Sequence, residues 1–152
     1  MKRYKDWLEQ ADKDLEAAKD SKKTEHFEWA CFQAEQSAEK ALKSFLLYFN
    51  IDTSKRLVLL LSQLKKILED FCEESKNENL MSQFDLLKEK CQELDMHYIQ
   101  SRYPNRFVSG HPAEYYNKKI ATKCINYAES INQYIKKEIE KISSSECIGG
   151  FS

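Results

Sequence analysis

One helical face of this chain is almost bare of bulk, and that limits what it can fold into more than any other feature. Small residues recur at Ala30, Ala34, Ser37, Ala38 and Ala41, at the three- and four-residue steps that keep side chains on one side of an α-helix. Two backbones can approach closely only where side chains are this short, so another helix must lie against the stripe. Gln33, Gln36, Glu39, Lys40 and Lys43 give the remaining faces polar groups. Together these residues specify a tightly packed helical bundle.

Periodicity predicts five helices. The first, residues 2–22, carries Tyr4, Leu8, Ala11, Leu15 and Ala18, and the second, 25–50, carries Phe27, the small stripe and Phe45. Turn and N-cap chemistry from Asn50 to Ser54 precedes a third helix, 55–74, with Leu57, Leu60, Leu61, Leu64, Leu68 and Phe71. A polar stretch from Glu73 to Asn79 reads as a loop. The fourth helix, 79–101, carries Leu80, Phe84, Leu87, Cys91, Leu94 and Tyr98. Residues 104–112 break the pattern, and Gly110-His111-Pro112 sets a proline where a fifth helix, 112–143, can start. At ~1.5 Å per residue that last helix would run roughly 45 Å. This exceeds what a compact bundle needs, so its far end is expected to pack on a second copy or another protein. Three glycines and two prolines leave little material for hairpins, and no strand is expected. The expected fold is all-α, an antiparallel four-helix up-and-down bundle with an additional C-terminal helix. It forms one domain over residues 1–142, and residues 143–152 are expected to be a disordered tail.

The net charge is −1, so no global field draws in nucleic acid, and any polyanion site must be a local patch. The longest aliphatic run, Leu57 to Leu61, is far short of the ~20 apolar residues of a membrane span. Met1 leads straight into Lys2-Arg3-Tyr4-Lys5 with no apolar leader core, so a soluble cytoplasmic protein is expected. Five cysteines are an odd number, and no two form a Cys-x-x-Cys pair. Cys31, Cys91 and Cys124 fall on apolar helix positions and Cys72 beside one, which suits small buried hydrophobes. Cys147 reads as a free thiol in the tail, and a reducing compartment fits all five.

The run Phe32-Gln33-Ala34-Glu35-Gln36-Ser37-Ala38-Glu39-Lys40-Ala41-Leu42-Lys43 resembles the signature helix of HEPN-domain proteins, the higher eukaryotes and prokaryotes nucleotide-binding family. The resemblance extends from Tyr4 to Ile139. Trp7, Ala11, Asp14-Leu15 and Ala18 are similar to the family's opening helix, and Arg102-Tyr103-Pro104 resembles a segment of its stand-alone branch. The chain departs from that pattern at Glu35-Gln36, where many relatives carry Gln-Gln. It departs again at Lys55-Arg56-Leu57, where they carry His, then Asp or Ser, then Leu. The resemblance implies a nucleotide- or RNA-binding module, non-catalytic alone, that forms a homodimer and commonly has a minimal nucleotidyltransferase as partner. A metal-independent endoribonuclease toxin using Arg106 and His111 is the second reading, and a purely structural dimerisation module is a third.

Candidate chemistry concentrates between Arg102 and Lys123. Arg102, Arg106, Lys118, Lys119 and Lys123 face a single carboxylate, Glu114, and Tyr103, Phe107, Tyr115 and Tyr116 are interleaved among them. Guanidinium forks suit phosphate oxygens and aromatic faces suit bases, so Arg102, Tyr103, Arg106, Lys118 and Lys119 are candidate nucleotide contacts. Lys40 and Lys43 of the second helix are added through the resemblance, although Glu39 and Lys43 stand at the i, i+4 spacing of a surface pair. HEPN ribonucleases place His four to six residues after Arg, and Arg106 and His111 match that spacing. In such a pair His moves the proton of the ribose 2′-OH and Arg neutralises the developing charge, with no metal or other cofactor. The bland reading is a tyrosine-packed loop whose cations are solvated, with His111 capping a helix. No Glu-x-x-His exists for a di-metal site, and His26, His97 and His111 are far apart in sequence and share no ligand cluster, so neither a zinc site nor any other metal site is expected.

Overall fold

A computed structural model describes residues 3–51, 57–71 and 78–149, and every regular element within them is helical. The order is α1 (Tyr4–Lys23), α2 (Phe27–Tyr48), α3 (Leu57–Phe71), α4 (Glu78–Asp95), α5 (His97–Gln100), a 3₁₀ turn (Pro104–Arg106), α6 (Pro112–Tyr115) and α7 (Lys118–Gly149). The all-α bundle is as expected. The turn at Asp52 to Ser54, Lys55, Arg56, Cys72 and most of the polar stretch after it lie outside the described residues.

Helix α2 is the hub, with α1, α7, α3, α4 and α5 all packed against it. Ala30, Ala34, Ser37, Ala38 and Ala41 have no exposed surface, and neither do Ala11 and Ala18 of α1 or Ala121 and Ala128 of α7. Small faces therefore meet small faces. The Ser37 hydroxyl donates to the Ala11 carbonyl at 2.6 Å and accepts from Asn132 Nδ2 at 2.8 Å, linking three helices at one buried atom. Thr24, Glu25 and His26 turn α1 back into α2, with Glu25 at φ 65. The bulkier side of α2, Leu42, Phe45 and Leu46, joins Leu60, Leu64, Leu94, Ile131 and Ile135 in the core. Each such side chain contributes about 1.5–3 kcal/mol when fully buried.

Two boundaries differ from the periodic reading. The expected fourth helix breaks at Met96 and resumes as the single turn α5. The expected fifth helix divides because Tyr116 is extended (φ −87, ψ 140) and Asn117 starts α7 anew. Asn117 Oδ1 accepts the Ile120 N–H at 2.9 Å, a side-chain cap that the apolar spacing could not reveal. Helix α7 then continues to Gly149, so residues 143–149 are helical rather than a disordered tail. Nothing between Lys118 and Gly149 breaks a helix, Ile142 is buried, and Ser143 Oγ lies 3.2 Å from the Tyr48 hydroxyl. No helix among the described residues is long and apolar enough to cross a membrane.

Candidate nucleic-acid interface

The segment from α5 to α6 is held by aromatic packing. Arg102 is half-buried; its Nε donates to the Tyr98 carbonyl at 2.8 Å, and its guanidinium lies 4.4, 4.8 and 5.1 Å from the rings of Phe32, Tyr98 and Tyr103. That cage turns a candidate phosphate ligand into a brace between α2 and α5. Tyr103 keeps an exposed edge. Phe107 stacks on Tyr115 at 4.3 Å, and the Tyr115 hydroxyl donates to the Ser109 carbonyl at 2.6 Å. Gly110, at φ 81, reverses the chain where a Cβ would come within 2.4 Å of a Glu114 oxygen.

Arg106 ends the 3₁₀ turn and His111 sits at the N-cap position of α6, both exposed. His111 makes no hydrogen bond to a helix N–H. Its Nε2 instead pairs with Glu114 Oε1 at 3.1 Å. A histidine oriented by a carboxylate can carry a proton, and a guanidinium on the same loop can offset phosphate charge.

Lys40 and Lys43 stand apart from that loop. Lys40 forms an ion pair with Asp14 of α1, while Lys43 pairs with Glu39 at 3.7 Å and lies over the Trp7 ring at 5.7 Å. The i, i+4 pair is present, but it is half-buried against α1 rather than on an open, solvated face.

Lys118 and Lys119 find other company. The end of α1 (Lys19, Lys22, Lys23), Glu25 and Phe27 just beyond it, and the start of α7 (Lys118, Ile125, Asn126, Glu129) line a groove of about 550 Å³, in which four lysines outnumber two carboxylates. It shares Lys118 and Asn126 with a second hollow of about 660 Å³ lined by Lys119, Thr122, Lys123 and Tyr127. Lys19 is paired with Glu129 at 3.7 Å and Lys123 with Glu93. Lys22, Lys23, Lys118 and Lys119 have no ion-pair partner among the described residues. The N-terminal end of α7 adds its own partial positive charge. Sequence spacing missed Lys22 and Lys23 because more than half of the chain separates them from Lys118.

Residues 4–139 match the family model of the HEPN domain. The chain belongs to the HEPN family. MJ1304 of Methanocaldococcus jannaschii, named a candidate toxin, is 30% identical over 138 residues, which are 90% of this chain and 88% of that protein. Among solved structures, TT1696 from Thermus thermophilus is similar at TM-score 0.76 and 30% identity, over 90% of this chain and 98% of that one. ST0689, described as an archaeal HEPN homologue, is similar at TM-score 0.69 and 33% identity, over 91% of this chain and 99% of that one.

A second cluster lies under the HEPN chain's α5. Cys31 of α2, His97 of α5 and Cys124 of α7 each bring one ligand atom within 4.8 Å of the others. His97 Nδ1 is 2.6 Å from the buried Tyr116 hydroxyl. Hydrogen bonding with Cys31, and further with His97, draws the Cys124 thiol down against the opposing effect of burial, and the same contact pushes Cys31 up. This departs from the expectation that no histidine belongs to a ligand cluster: His97 gains two cysteines that no linear motif joins to it.

Proposed function

We propose that this HEPN chain is an RNA- or nucleotide-binding module, non-catalytic alone, that takes phosphates in the lysine groove between α1 and α7. The observation that carries the reading is the set of four cations, Lys22, Lys23, Lys118 and Lys119, beside the N-terminal end of α7 and without ion-pair partners among the described residues. Phosphate contacts supply affinity through counterion release, at about 0.7 in salt slope per contact on a single strand. Fluorescence anisotropy with a short single-stranded RNA, ATP and GTP tests it. Saturable binding that weakens with salt, and a slope lower by about 1.4 in Lys118→Ala/Lys119→Ala, is the expected result. No saturable binding to any of the three ligands overturns it.

A second reading, an endoribonuclease toxin, is favoured by His111, exposed yet oriented by Glu114 five residues after Arg106. RNA cleavage in excess chelator by the parent, absent in His111→Ala, would replace the first reading with this one. Both readings carry a second copy of the chain as partner, and a minimal nucleotidyltransferase as the partner class for the non-catalytic one. Light scattering on Cys147→Ser, which removes an artefactual disulfide dimer, checks the homodimer; a strict monomer at high concentration refutes it.

A further inference from the structure

We propose that Cys31, His97 and Cys124 form a site for a thiophilic divalent cation of the zinc class, which clasps α2, α5 and α7 together. Three ligand side chains arrive from three elements far apart in sequence, in a core that is otherwise mostly aliphatic and aromatic. Cys31 and Cys124 are essentially inaccessible and His97 is 9% exposed. With zinc–sulfur bonds of about 2.3 Å and zinc–nitrogen bonds of about 2.0 Å, tetrahedral ligand atoms stand roughly 3.5–3.8 Å apart. The cluster therefore needs to contract by about 1 Å from its 4.8 Å limit, within reach of side-chain rotation.

Charge selects the ion. Two thiolates and a neutral imidazole balance a divalent cation, giving a neutral cluster in a low-dielectric interior, whereas a monovalent ion would leave a buried negative charge. Glu28 and Glu93 add negative potential at the sulfurs, and Lys123 answers only Glu93. Thiolate and imidazole donors suit zinc in preference to magnesium or calcium. The Tyr116 hydroxyl on Nδ1 fixes the orientation of the imidazole, as outer partners of ligating histidines do. Because α5 leads directly into Arg102 and the aromatic loop, the clasp would anchor that loop to the hub helix.

The test is cobalt titration of the full, reduced chain under anaerobic conditions, followed by zinc competition and thermal melts. One cobalt per chain, with thiolate charge-transfer and tetrahedral d–d bands displaced by zinc, is expected, and zinc should raise Tm. Cys31→Ala and Cys124→Ala, which fit the small-residue packing, should lose the bands while circular dichroism stays helical. Cys72→Ser/Cys147→Ser should keep them. Bands absent from the parent, retained in Cys31→Ala and Cys124→Ala, or lost in Cys72→Ser/Cys147→Ser would each overturn the site. Should either alanine variant unfold, His97→Gln provides the same comparison from the imidazole side: unchanged bands refute the site and altered bands support it.

Discussion

Ser37 shows how much one small polar side chain can decide. Its hydroxyl satisfies a carbonyl of α1 and the Nδ2 of Asn132 in α7 at once, while Asn132 Oδ1 has no partner among the described residues. Ser37→Ala strands the Asn132 amide, so a loss of about 1–3 kcal/mol is expected in urea unfolding. Adding Asn132→Leu should recover part of it, because removing both partners spares the desolvation penalty; an additive double variant would contradict the shared bond. Arg102 makes a different point. The sequence offers a phosphate-seeking guanidinium beside tyrosines, and folding encloses it with Phe32, a residue the Arg-Tyr-Pro run does not contain. Arg102→Lys keeps the charge but loses planar stacking, and should lower stability by about 1 kcal/mol with RNA affinity within about twofold of the parent. A selective loss of RNA binding at unchanged stability would instead make Arg102 a ligand.

Among the elements, α2 was the most legible, because a stripe of five small residues admits one interpretation: close approach by a neighbour. Ala38→Leu forces methylenes into a face with no exposed surface, and a drop in stability of about 1–3 kcal/mol or more is expected in thermal melts. A change under about 0.5 kcal/mol would mean that the face is looser than its burial implies. Helices α1 and α3 were readable for the same periodic reason. The ends of α4 and α7 were not. Apolar period sees faces, whereas boundaries depend on single groups such as the Asn117 cap and the extended Tyr116. The serines from 143 to 145 suggested a tail because their composition is polar. Helical geometry persists there because Ile142 anchors the preceding turn in the core and no glycine intervenes before Gly149.

At the scale of the whole molecule, the cationic groove depends on the α1–α7 contact rather than on any local run. Lys22 and Lys23 should matter to RNA binding as much as Lys118 and Lys119. Lys22→Ala/Lys23→Ala is expected to lower the salt slope by a similar amount, about 1.4, with no change in melting beyond a few tenths of a kcal/mol. Equal slopes for parent and variant would confine the phosphate contacts to α7. The sequence by itself determined the helical class, the hub helix, most of the core and the family, since periodicity and side-chain size act locally and leave a linear trace. Tertiary structure alone decided which charges are consumed and which stay available: Lys40, Lys43 and Arg102 are engaged by partners from other elements or rings, while Lys22 and Lys23 of the first helix share a groove with Lys118 of the last, and Lys119 lines the adjoining hollow. It alone also brought Cys31, His97 and Cys124 together. Electrostatic and ligand geometry depend on distance in space, and three helices crossing at small residues set those distances without any motif to announce them.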